Sequence, residues 1–199
     1  MKYFTTRDWI GLLGRLPPQS ALLNLSSLRT LTGLTDRAVR QACWRLSGAG
    51  LLRPLGSGWY ANSLRAACAE EIGGVLVRPS YVSLDSVLSA ARITTQPCFV
   101  LTCVTIRQTT RRETPFGRIE YRSVSRNLYW GFRRRQSPNG LIYFEAEPEK
   151  ALLDLLYLSR RTGEPLWIDL DLTRLDRPKL DAWAQRFPCS VARALQRLG

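Results

Sequence analysis

The sequence predicts an α+β chain in two parts. A small helical module closed by a β-hairpin comes first, and an α+β block with a small, mostly antiparallel sheet follows. Three observations predict this. Residues 35–61 pass from an amphipathic helix into two short strands joined by Gly56-Ser57-Gly58. Residues 110–146 carry two more hairpin signals, at Pro115-Phe116-Gly117 and at Asn139-Gly140. Residues 147–161 have the near-continuous apolar pattern of a buried helix. The 199 residues suffice for one large domain or two small ones with their own cores.

Residues 6–16 place Trp9, Ile10, Leu12, Leu13 and Leu16 at helical spacing, with Thr6 as the expected cap and Pro17-Pro18 as the stop. Ala21 to Leu23 reads as a short strand. LSSLRTLTG then reads as a short helix starting near Ser26 or Ser27 and closed by Gly33. The helix after it is capped by Thr35, buries Val39, Ala42, Cys43 and Leu46, and closes at Gly48 or Gly50. Short helix, glycine turn and second helix make a helix-turn-helix order. The hairpin of Leu51–Pro54 and Trp59–Ala61 directly behind it completes the order of a winged helix.

The second helix turns Asp36, Arg37, Arg40, Gln41 and Arg45 away from its apolar stripe. Arginine and glutamine pair bidentately with guanine and adenine edges in the major groove. Early positions of such a helix reach bases and later ones reach phosphates. Asp36, Arg37, Arg40 and Gln41 are therefore the expected base contacts. Thr35, Arg45, Arg53, Ser57 and Trp59 are the expected backbone contacts. A basic helix face also serves plain solubility, and the order of elements is what favours DNA.

The remaining chain reads as a connecting helix from Ser63 that Gly73-Gly74 breaks. An extended segment from Ser80 becomes helical near Ser83, and PCFVLTCVTI reads as a buried strand. The two hairpins come next. The helix EPEKALLDLLYLSRR carries Pro148, Glu147 and Glu149 at its positive end and Arg160 and Arg161 at its negative end. Two helices near 176–187 and 189–198 finish the chain. The implied division is 1–62, a connecting segment 63–79, and 80–199.

Charge supports a polyanionic partner. The formal net charge is +13, almost all of it from arginine. Residues 1–62 hold eight cations against two acids, and residues 78–135 hold eleven arginines against three acids. Residues 136–199 are neutral. A second basic patch is thus expected from Arg107, Arg111, Arg112, Arg118, Arg133, Arg134 and Arg135, with the triple arginine read as a solvated turn rather than a phosphate clamp.

Histidine is absent, which removes the commonest general base and the commonest zinc ligand. The five cysteines have no metal or redox spacing and read as reduced, mostly buried small hydrophobes. There is no phosphate-binding glycine loop, HExxH or CxxC. No catalytic residue, cofactor or metal is expected. Glu147 and Asp154, seven apart on one helix face, are the one pair that would suit a metal-dependent nuclease, but no basic partner sits at a matching position. Neither a membrane span nor a secretory signal is read in the chain, so the expectation is a cytoplasmic protein.

FTTRDWIGLLGRLP, the helix-turn-helix segment through Asn62, YVSLDSVL at Tyr81–Leu88 and EPEKALLDLLY at Glu147–Tyr157 together resemble the AbiEi-type antitoxin family of abortive-infection, type IV toxin–antitoxin systems. The resemblance covers about residues 4–175. It implies an N-terminal winged helix, with Thr35 to Leu46 as recognition helix and Leu51 to Ala61 as wing, followed by an antitoxin domain. It further implies an autorepressor bound to inverted repeats of double-stranded DNA, a monomer in solution that occupies DNA in multiple copies. It also implies opposition to a nucleotidyltransferase-like toxin that need not involve direct contact. The family's segment around Tyr81 ends on a small residue and a His-Gly pair, where this chain has Ala90-Ala91-Arg92. Two other readings compete: a winged-helix regulator whose second domain senses a small ligand, and a nuclease built on Asp154.

Overall fold

The computed structural model describes residues 4–163 and 169–198. Lys2 of the first basic block, and the part of the resemblance on residues 164–168, lie outside them. Helix α1 (Thr6–Arg15) starts at the residue expected to cap it, and the cap is Thr5, one residue earlier. The Thr5 hydroxyl accepts from the Asp8 amide at 3.2 Å and the Asp8 carboxylate accepts from the Thr5 amide at 2.8 Å. A 3₁₀ turn at Pro18–Ala21 delays the first strand to β1 (Leu22–Asn24). Helix α2 (Leu25–Thr32) is capped by Asn24 and closed by Gly33 at φ 69°. Helix α3 (Asp36–Gly48) follows after three residues. Strands β2 (Leu52–Gly56) and β3 (Trp59–Asn62) then form a three-stranded antiparallel sheet with β1, in the order β1-β3-β2.

That sheet is a wall between two cores. Side chains alternate faces along a strand. Leu22, Leu55 and Ala61 point into the larger core, with Trp59 packed against it. Leu23 and Leu52 point into the smaller one, with Tyr60 packed beside them. The smaller core is completed by Trp9, Leu13, Leu28, Val39, Ala42, Cys43 and Leu46.

Helix α4 (Ala69–Leu76) begins later than the sequence predicts and runs through Gly73-Gly74 instead of breaking there. Residues 62–65 are used otherwise. The Asn62 amide donates to the Leu13 carbonyl at 3.1 Å and the Arg65 guanidinium donates to the carbonyls of Gly14 and Leu16, which caps the end of α1. Gly73 is a packing glycine: a Cβ there would come within 2.8 Å of Leu101 Cδ2.

The second sheet is larger and more mixed than expected. Its strands are β4 (Ser80–Val82), β5 (Leu101–Thr105), β6 (Thr110–Thr114), β7 (Gly117–Ser123), β8 (Phe132–Gln136) and β9 (Ile142–Ala146), in the order β6-β7-β5-β4-β9-β8. Pairs β4–β5, β6–β7 and β8–β9 are antiparallel; β4–β9 and β5–β7 are parallel. Hairpin signals are local, so the sequence shows the β6–β7 and β8–β9 pairings but not the two parallel ones. The triple arginine lies within β8, not in a turn. Helix α5 (Asp85–Ala90), helix α7 (Arg177–Ala184) and helix α8 (Cys189–Gln196) pack around α6 (Pro148–Thr162). No helix among the described residues is long and apolar enough to cross a membrane.

A buried ion pair sits under α6. Lys150 and Asp154, four residues apart, are bonded to each other with side chains 0% exposed. Lys150 Nζ donates to the Tyr81 hydroxyl at 2.9 Å, and Tyr81 and Ser83 donate to Asp154 Oδ2 at 2.8 and 3.1 Å. Burial pulls Lys150 below its ordinary pKa and pushes Asp154 above its own, each shift opposed by the partner's charge. Gly131, at φ 75°, makes room for the lysine stem, since a Cβ there would lie 2.9 Å from Lys150 Cγ. Removing one partner of such a pair strands the other charge. Asp154→Asn is expected to cost about 3–5 kcal/mol in urea unfolding, and a Lys150→Met/Asp154→Leu double variant to recover most of it. Equal losses in single and double variants would contradict this account.

Arg92 has a backbone conformation that is uncommon for a residue with a side chain. It follows α5 at φ 57°, donating its amide to the Ser89 carbonyl at 3.0 Å, in a left-handed position that favours glycine. Arg92→Gly is expected to raise stability by up to about 1 kcal/mol, the left-handed penalty less glycine's entropy. A fall in thermal midpoint would show that the arginine side chain matters more than its backbone.

Candidate nucleic-acid interface

Helix α3 is built from its cap outward. The Thr35 hydroxyl accepts from the Ala38 amide at 3.3 Å. The turn before it is held by Gly33 and by Thr32, whose hydroxyl donates to the Leu28 carbonyl at 2.7 Å and accepts from the Leu34 amide at 3.3 Å. Val39, Ala42, Cys43 and Leu46 are buried, and burial pushes the Cys43 thiol up to about 11. Arg37, Arg40, Gln41 and Arg45 all face solvent. Among the described residues none of these three arginines has an ion-pair partner. Asp36 is different: its carboxylate pairs with Arg29 of α2 at 3.2 Å, both groups more than half exposed.

The hairpin residues divide. Ser57 is exposed at the tip, where Gly56, Ser57 and Gly58 all take positive φ and the Gly58 carbonyl accepts from the Leu25 amide at 3.3 Å. Arg53 and Trp59 lie on the face that covers the larger core. The Arg53 guanidinium stands 5.6 Å from the Phe116 ring, and Arg78 stands 5.9 Å from the Trp59 ring. The reason is strand periodicity: these residues share a face with Leu55 and Ala61.

The second basic patch is largely neutralised. Arg118 pairs with Glu113 at 2.7 Å, Arg111 with Glu120 at 3.5 Å, Arg133 with Glu147 at 2.7 Å and Arg135 with Glu145 at 2.9 Å. Arg107 donates to the Arg78 carbonyl at 3.3 Å, and half-buried Arg112 donates to the Thr110 hydroxyl at 2.9 Å. Arg134 is exposed, opposite Phe144 in register, with no ion pair among the described residues.

The acids considered for a nuclease are occupied. Asp154 is sealed beneath α6 and Glu147 holds both Arg133 and Lys179. Burial alone would raise Glu147, but those two bonds together hold it below its ordinary range. The basic partner that the sequence reading did not find is Lys150, one helical turn before Asp154. The cysteines are less buried than expected: Cys43 and Cys103 are buried, Cys68 and Cys98 half-buried and Cys189 exposed.

Sequence reasoning passed over Trp44, which is 80% exposed on α3 among the arginines. Its signal was available, since it stands three, four and seven residues after Gln41, Arg40 and Arg37. No protein-family model and no curated protein matches the chain.

Proposed function

We infer that residues 4–62 act as a winged helix-turn-helix and that α3 enters the DNA major groove. The observation that carries this is the solvent-facing stripe Arg37, Arg40, Gln41 and Arg45 on a helix whose opposite side is locked into a core. A helix with side chains is about 10–12 Å across and the groove about 12 Å wide. Element order and the β1-β3-β2 sheet support the reading. The family resemblance extends it to a cytoplasmic autorepressor and antitoxin of a type IV system, bound to an inverted-repeat operator and opposing a nucleotidyltransferase-like toxin. On this reading the chain is not an enzyme.

Mobility shifts with duplex from upstream of the protein's own gene test the reading. Arg40→Ala is expected to weaken specific binding by about 1–3 kcal/mol and to relax preference at one position. Arg45→Ala is expected to weaken all duplexes alike and to lower the salt slope by about one. Unchanged discrimination in Arg40→Ala would reject the assignment.

A second reading, a regulator that senses a small ligand, is favoured by one feature. A cleft of about 540 Å³ is lined by Tyr129, Phe132, Ile142, Tyr143 and Phe144, with Arg78 in its wall. That size lies in the range of small-molecule sites, and the same Arg78 touches Trp59 of the hairpin. On this reading anilinonaphthalene sulfonate, a flat aromatic anion, binds saturably, and Phe144→Ser weakens it about tenfold. Equal binding to both proteins would remove the ligand reading.

A further inference from the structure

An α-helix turns about 100° per residue, so Trp44 lies within about 20° of Arg37 around α3 and about 10 Å further along its axis. That places the indole in the middle of the exposed stripe, flanked by Arg40 and Gln41. It is 80% exposed, and no ring or cation stacks on it among the described residues. The next residue on the same line is Gly48, where an added Cβ would meet nothing within 4 Å. No side chain beyond it shields the indole. The largest apolar side chain on this helix is therefore held in water on the face that carries its free cations.

Solubility does not account for a tryptophan there. The inference rests on the groove-binding reading above, and it names what that face reads. Guanidinium and amide groups read purine edges, whereas the apolar feature of the major-groove wall is the C5-methyl of thymine. We propose that Trp44 packs against thymine methyl groups and sets a thymine preference about three base-pair steps from the base read by Arg37, given 3.4 Å per step.

The test uses the full-length protein and a random-sequence duplex pool. The enriched duplex is resynthesised with deoxyuridine in place of thymine, one position at a time, which removes only the methyl. The wild-type protein is expected to lose about fourfold in affinity at each methyl it reaches, the transfer value of one buried carbon. Trp44→Ala should bind thymine and uracil duplexes alike while still preferring the enriched sequence, because Arg40 and Gln41 remain. Its thermal midpoint should match the wild type, since the side chain is exposed. If the wild type is blind to the methyl, or Trp44→Ala keeps the discrimination, the thymine role is wrong and DNA binding still stands. If Trp44→Ala instead turns a dimer into a monomer with methyl discrimination intact, the residue is a protein contact and the proposal fails. If no duplex is enriched, the groove-binding reading falls and takes this inference with it.

Discussion

The packing of Val39, Ala42, Cys43 and Leu46 against Trp9, Leu13, Leu28 and Leu52 fixes what the first part of the chain presents to solvent. A helix has one rotational phase once its apolar ridge is buried. Rotating α3 by one residue, about 100°, would drive a guanidinium into that core and expose part of the ridge. Thr35 and Gly33 fix where the helix starts, so the phase and the starting point are set separately. The exposed stripe is the complement of the ridge and follows from it.

The three-stranded sheet ties this module to the rest of the molecule. Leu52 and Leu55 are three residues apart, an odd spacing that puts them on opposite faces, one in each core. Trp59 and Ala61 face one way and Tyr60 the other. A hairpin used as a shared wall is not free to swing as an independent arm. Arg53 over Phe116 and Arg78 over Trp59 add two polar contacts along the same seam. The aromatic cleft and the hairpin therefore share Arg78 as a neighbour, and Tyr60 and Leu52 of the hairpin pack in the core that holds α3.

What was legible in the sequence was what is local. The cap of α3, its ridge, the hairpins at 56–58, 115–117 and 139–140, and the apolar helix from Pro148 all depend on residues within about one turn of each other. What was illegible depends on partners far apart in the chain. Gly73-Gly74 looks like a break until Leu101 and Tyr143 stand against it. Lys150 looks like an ordinary surface lysine until Tyr81, from a strand about seventy residues earlier, meets it under α6. The direction of Arg53 and Trp59 required knowing that both sides of their sheet are covered. Trp44 belongs with the local features: its place among Arg37, Arg40 and Gln41 follows from helical spacing alone, although an apolar residue on a charged face does not stand out in a count of charge.

Charge counted along the chain and charge felt by a ligand are different quantities. The second basic block has the larger excess of arginine in the sequence, yet four of its seven candidate cations stand beside glutamates, three of these on neighbouring strands and one, Glu147, at the start of α6. Exposed pairs of this kind add little stability, so their geometry alone would not prevent an arginine from turning toward a phosphate. The glutamate would remain, and a phosphate approaching Arg118 would meet Glu113 as well. On α3 the nearest acid, Asp36, already faces Arg29. Fields from paired charges fall away over a few ångströms, while those from unpaired ones extend about a Debye length, roughly 8–10 Å in physiological salt. The unpaired Arg37, Arg40 and Arg45 on one helix face therefore project positive charge further into solvent than the glutamate-paired arginines of the second block do.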